Sequence, residues 1–198
     1  MDENFINNVI ELYKENNWQL IIKKYHNYPE RNKLLWVFPS EENLQFLDQC
    51  LKELKVETVT SVGCGCGLLE WIIKAATGTQ VSGIEIDGAW WRCKYAPPTF
   101  IPISFTSPTL DKDVMTILGN QASALLFCYF NNRPAFQNYL KHFSGEVLII
   151  IGPGEGKGVH TDPKPFGDVD NSWTMYKWQE VRESKDFIVL IKKCLHTF

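Results

Sequence analysis

The sequence predicts a single-domain α/β protein: a mostly parallel, seven-stranded sheet with helices on both faces, a C-terminal antiparallel hairpin and a helical extension in front. Three observations carry that expectation. A β-branched apolar run at 56–62 leads into Ser61-Val62-Gly63-Cys64-Gly65-Cys66-Gly67, and Leu68, Leu69, Trp71, Ile72, Ile73 and Ala75 then recur at helical spacing, so strand, tight loop and helix follow one another. Further on, short and almost wholly apolar runs alternate with helical patterns, as parallel strands covered on both faces do. Near the end, two strand-like runs at 175–182 and 187–193 are joined closely enough to form an antiparallel pair.

Phe5, Ile6, Val9, Ile10 and Tyr13 follow the i, i+3, i+4 rule of an amphipathic helix, and Leu44, Leu47, Leu51 and Leu54 form a second stripe after Pro39. Ser40 is placed to cap that second helix, with Glu41 and Glu42 at the positive end of its dipole. Residues 1–55 are therefore expected to be a helical extension packed on a core of 56–198, with no second full domain. After Glu85, GAWWRCKYAPP gives a short helix or turn stopped by Pro97 and Pro98, followed by a third strand at 99–105. A helix at 111–118, a buried strand at 123–130, a helix at 134–143 and a strand at 146–151 complete the alternation.

Composition sets limits. At 198 residues, with 44% hydrophobic and 22% charged, the chain is sized and composed as one soluble globular domain. A net charge of −3 disfavours a nucleic-acid partner, which would draw on a basic excess, and leaves a small molecule or a protein as substrate or partner. No apolar run approaches the ~18 residues of a membrane span, and MDENFINN is acidic and polar, unlike a targeting signal, so the expected compartment is the cytoplasm. Cys50, Cys64, Cys66, Cys93, Cys128 and Cys194 lack the paired spacing of a zinc site; no metal is expected, and Cys64 and Cys66 read as small thiols fitted into the loop.

The loop carries the chemistry. Glycines there give backbone angles and close approach that a Cβ obstructs, and the following helix offers its first N–H groups to a ligand. Glu85 ends the next apolar run roughly 20 positions on, the distance at which a carboxylate meets the ribose of a bound nucleotide. A dinucleotide fingerprint starting at Gly63 requires glycine at 68, where this chain has Leu68. The G-x-G-x-G spacing followed by VSGIEID instead resembles the class I, Rossmann-like S-adenosylmethionine-dependent methyltransferases.

That resemblance implies S-adenosylmethionine as cofactor. Ser61, Gly63, Cys64, Gly65 and Gly67 are then expected among the cofactor-binding residues, the glycines at its methionine end, with Glu85 on the ribose and Ile86 against the adenine. Two positions depart from the family pattern. Ser61 stands where the family commonly has an acid that helps hold the cofactor's amino group, and after the third strand only Thr106 and Ser107 stand where an acid often meets the adenine. These departures keep a second reading open, a catalytically silent protein that binds the cofactor or its product, or serves as a scaffold.

Ligands of open α/β sheets sit beyond the carboxyl ends of the strands, so CYFNNRP and GPGEGKGVHTDPKPFGD are expected to face the acceptor. Asn131 and Asn132 are candidates for hydrogen bonding it, or are turn formers before Pro134; Arg133 is a candidate for holding a carboxylate or phosphate. His160, on a loop with four glycines, is the candidate general base, or a surface histidine. Tyr25, His26, Tyr28 and Trp36 are candidates for the substrate pocket or for covering the sheet edge, and Trp90 and Trp91 for stacking on the ligand or packing in the core.

Overall fold

The structure is a computed structural model that describes residues 3–194; residues 1, 2 and 195–198, which fall within the expected segment bounds, lie outside the described residues. Helices α1 (Glu3–Lys14), α2 (Trp18–Tyr25) and α3 (Glu41–Glu53) precede β1 (Thr58–Val62). The chain then runs α4 (Leu68–Thr77), β2 (Gln80–Glu85), α5 (Gly88–Trp91), β3 (Ile103–Phe105), α6 (Lys112–Leu118), β4 (Ser123–Cys128), α7 (Arg133–His142) and β5 (Val147–Pro153), and closes with β6 (Trp173–Val181) and β7 (Asp186–Lys193).

The seven strands form one sheet in the order β3-β2-β1-β4-β5-β7-β6. Strands β1 to β5 are parallel, and β7 lies antiparallel between β5 and β6. The winding reverses between β1 and β4, because the chain builds β2 and β3 on one side of β1 and returns to place β4 on the other. A crevice at the carboxyl ends of these two strands follows from that reversal. Strands β4 and β5 are buried along almost their whole length, which is why they read as unbroken apolar runs.

Alternation along the strands splits the interior into two layers. Val59, Ala124, Leu126, Ile149 and Leu190 face α4 and the N-terminal helices, whose Phe5, Val9, Ile21, Leu47 and Leu51 join the same cluster. Leu125, Phe127, Leu148 and Ile150 face the other way, against Val114 and Leu118 of α6 and Phe136 and Tyr139 of α7. The capping box at the start of α3 is present: Ser40 Oγ accepts the Asn43 N–H at 3.2 Å, and Asn43 Oδ1 accepts the Ser40 N–H at 2.9 Å. The Asn43 amide also donates to Gln179 Oε1 at 2.7 Å and to the Glu180 carbonyl at 3.0 Å, tying α3 to β6.

Several element bounds differ by a residue or two from the sequence expectation, and three differences have a visible cause. Helix α2 is not among the expected elements; its eight residues carry too short a stripe to stand out, and its capping depends on Asn17, whose side chain accepts the Leu20 N–H. Strand β3 is three residues long rather than spanning 99–105, because the Phe100 N–H turns away to the Cys66 carbonyl at 2.8 Å and pairing with β2 begins only at the Pro102 carbonyl. Strand β4 stops at Cys128 rather than at 130, since Tyr129 takes φ +51°, a left-handed angle that ends an extended run.

Candidate functional site

The glycine loop occupies the crevice. Gly65 (φ +60°) and Gly67 (φ +77°) both take left-handed angles, but a side chain would meet different surroundings at each. A Cβ on Gly67 would lie 2.3 Å from Ile101 Cγ1, so this glycine is required by packing. On Gly65 the nearest atom would be in the Trp91 ring at 3.9 Å, so this one borders open space. Its N–H donates to Glu85 Oε1 at 2.7 Å, which brings the predicted acid from the end of β2 onto the loop. A cavity of about 220 Å³ lies above, walled by Gly63, Gly65, Trp91, Cys128 and Tyr129 and roofed by Leu34 and Trp36 of the N-terminal segment. Cys66 Sγ donates to the Leu34 carbonyl at 3.1 Å and so holds the roof to the loop.

Beneath the loop lies a charge that the sequence reading missed. Glu70, in the first turn of α4, is 1% exposed, accepts the Ser61 hydroxyl on Oε1 at 2.6 Å and leaves Oε2 without a partner. Burial pushes its carboxyl up to about 7, against the opposing pull of the Ser61 hydroxyl. Ser61 itself is fully buried, with its hydroxyl committed to this bond. Burial also raises the thiols of Cys64, Cys66 and Cys128 well above the ordinary cysteine value, Cys66 to about 12.

Tyr129 links the cavity to the start of β7, at the same end of the sheet. Its hydroxyl donates to Asp186 Oδ1 at 2.6 Å, and Lys157 Nζ lies 2.9 Å from Asp186 Oδ2. Burial and the Asp186 carboxylate both raise the tyrosine hydroxyl far above its ordinary value. Trp36, 56% exposed, stacks on the Tyr129 ring at 5.6 Å with an interplanar angle of 16°. On the other side of this stack is a second cavity of about 280 Å³, between the N-terminal segment and the β6–β7 turn, to which His26, Arg31, Trp36, Arg182 and Asp186 contribute. Lone local motifs did not signal Glu70, Tyr129 or Asp186; the polar residue buried at 61, with no acid beside it, was the one available hint.

The remaining candidates are dispersed. Ile86 and Trp90 are exposed beside the carboxyl end of β2, whereas Trp91 turns into the loop cavity. Asn132 spends its side-chain oxygen on capping α7, accepting the Ala135 N–H at 3.0 Å, and its own N–H goes to the Asp162 carbonyl at 3.0 Å. Asn131 is exposed, with its backbone bridged to Asp162. Arg133 reaches Asp162 Oδ1 at 3.4 Å and the Asp168 carbonyl at 3.0 Å. His160 lines a third cavity, with Gly154, Thr161 and Lys164, that shares no wall residue with the loop cavity. Tyr25 is buried against Phe5, and Tyr28 stacks on Phe5, so both pack inside the extension, while His26 and Trp36 reach cavities.

This strand order, with the glycine loop at the switch point and an acid ending β2, is the Rossmann-like fold of the class I methyltransferases. Among solved structures the chain is similar to a Staphylococcus aureus protein described as a caffeoyl-CoA O-methyltransferase, with 12% identity, coverage of 96% of this chain and 100% of that one, and a TM-score of 0.53. It is also similar to the cofactor-bound Rv0187 protein from MTB, with 13% identity, coverage of 88% and 87% respectively, and a TM-score of 0.51. No family model and no curated protein matches the sequence.

Proposed function

We propose that the protein binds S-adenosylmethionine across residues 63–67 and transfers its methyl group to a small molecule or a protein side chain. The observation that carries this reading is the Gly65 N–H on the Glu85 carboxylate at the switch point: the acid is held beside the loop, with lone pairs left for the two ribose hydroxyls. The cradle also fits the group, since Gly65 offers open space where a side chain would intrude, and Cys128 and Tyr129 close the inner wall. When bound, the cofactor supplies an electrophilic methyl carbon on a sulfonium. The chain's own task is alignment: Glu85 fixes the ribose, the loop the methionine end, and Ile86 and Trp90 offer apolar surface to the adenine.

The acceptor is proposed to enter between the N-terminal segment and the loops after β4 and β5. Asn131, free of any side-chain bond among the described residues, is placed to hydrogen-bond it, and Asn132 supports that corner by capping α7. His160 is proposed as base for an acceptor that must lose a proton, which requires its glycine-flanked loop to close toward the crevice. Six free thiols suit the cytoplasm as the working compartment. A second reading, a silent binder of the cofactor or its product, is favoured by two observations: Asn132 is committed to structure, and His160 lies on a different cavity from the loop.

Calorimetric titration with S-adenosylmethionine and S-adenosylhomocysteine, with NAD as control, tests the proposal. Both sulfur ligands should bind and NAD should not. Glu85→Ala should weaken binding by about 1–3 kcal/mol, the range for charge-assisted hydrogen bonds. Wild-type affinity in Glu85→Ala would remove the ribose assignment, and tight binding with no turnover across acceptor classes would leave the silent binder.

A further inference from the structure

We infer that the cavity between the N-terminal segment and the β6–β7 turn is a binding site for a small, flat carboxylic acid, the class from which the acceptor is drawn; that last step rests on the methyltransferase reading above. The cavity measures about 280 Å³, at the lower edge of the ligand-pocket range and enough for a single substituted ring. Trp36 lines both this cavity and the loop cavity, and Tyr129, on which it stacks, lines the loop cavity.

Charge selects the anion. Arg31 and Arg182 face the cavity, and the only acid lining it among the described residues, Asp186, is already occupied by Tyr129, Ser184 and Lys157. The two guanidiniums are not equivalent. Arg182 is spent on the carbonyls of Ile22, Phe38 and Pro39, at 3.0 to 3.2 Å, and serves structure. Arg31 makes one side-chain bond, to the His26 carbonyl, and has no ion-pair partner among the described residues, so most of its planar donor fork is open. One open fork beside a buried aspartate matches a monoanionic carboxylate; a phosphate dianion would meet Asp186 without a second free cation to offset it.

Shape selects a flat body. Trp36 presents a half-exposed indole over Tyr129, and Phe38 adds apolar wall, so a planar ligand anchored at Arg31 lies along aromatic surface toward the glycine loop. Backbone strain gathers at the same place. Tyr129, Arg182, Glu183 and Lys185 all take φ between +49° and +61° without being glycine, and they lie on the stack and the turn that bound the cavity. Three of the four close the tight β6–β7 hairpin, which requires such angles, and Tyr129 is the one outside it.

The test is a ligand-observed NMR titration of the full chain with 4-hydroxybenzoate, its neutral carboxamide and phenyl phosphate, with and without S-adenosylhomocysteine. The acid should bind at least tenfold more tightly than the amide and more tightly than the phosphate. Arg31→Gln, which keeps a donor for the His26 carbonyl but loses the charge, should abolish that preference without changing the melting temperature. Arg31→Lys should recover part of it, and Trp36→Ala should weaken acid and amide alike. Equal binding of acid and amide, an unchanged preference in Arg31→Gln, tighter binding of the phosphate, or no binding of the acid to the wild type would each overturn the inference. Acid binding that depends on Arg31 in a protein that ignores S-adenosylhomocysteine would keep the site and sink the methyltransferase reading; the reverse result would keep that reading and sink the site.

Discussion

Glu70 sets a measurable pH dependence from inside the molecule. Its carboxyl titrates near 7 in the folded chain against an ordinary value of 4.5, so between those values the folded state holds a proton that the unfolded state has released. Stability contributed by this group is therefore full below pH 4.5 and declines as pH rises to about 7, by a total on the order of 3 kcal/mol. Glu70→Gln removes the titration while leaving an amide that can accept from Ser61. Urea unfolding of both proteins at pH 5 and pH 8 should show the variant gaining about 2–3 kcal/mol on the wild type at the higher pH. Parallel stabilities at both values would mean that the carboxyl is better solvated than its burial indicates.

At the scale of the loop and α4, the two glycines should separate function from folding. Gly67→Ala forces a methyl group into Ile101 in addition to a left-handed angle, and should cost about 2–4 kcal/mol in thermal or urea unfolding, part of it recovered in the Gly67→Ala/Ile101→Val pair. Gly65→Val places its Cβ no nearer than 3.9 Å to Trp91, so the left-handed backbone is its main cost, about 1–2 kcal/mol or more for a β-branched residue, and it fills the space above the loop, so titration should show S-adenosylhomocysteine binding lost in a protein that still folds. Equal damage to folding at both positions would overturn this division. The glycine spacing and Glu85 were legible because they are local: a strand end, a turn and a second strand end within one short stretch. Strand β3 was not, since its shortening depends on the Cys66 carbonyl drawing away the Phe100 N–H, a contact between segments that sequence periodicity does not encode.

Over the whole molecule, residues 18–39 share an apolar cluster with the sheet and are joined to it by few polar groups. Arg182 joins the β6–β7 turn to three carbonyls of that segment, and Cys66 joins it to the loop. Arg182→Ala should leave those carbonyls without their charged donor, lower stability by about 2–4 kcal/mol, and raise hydrogen exchange in residues 18–39 before it does so in β4. A uniform rise across the chain would show that the segment and the sheet open together. The sheet and its hairpin could be read from apolar runs, and Trp36 was singled out for its aromatic surroundings. The Tyr129–Asp186–Lys157 group could not be read this way, because its members come from three distant stretches and each alone looks like an ordinary loop or strand residue.

The sulfur around the glycine loop has a bearing on durability. Cys66 and Cys128 wall the cavity and Cys64 sits on the loop itself, yet all three are held as neutral thiols at physiological pH by their apolar surroundings and by Glu70 nearby. Oxidants and alkylating agents attack the thiolate, so a crevice with three cysteines on or beside its loop is chemically quiet, and peroxide would have to loosen the roof before it could poison the site.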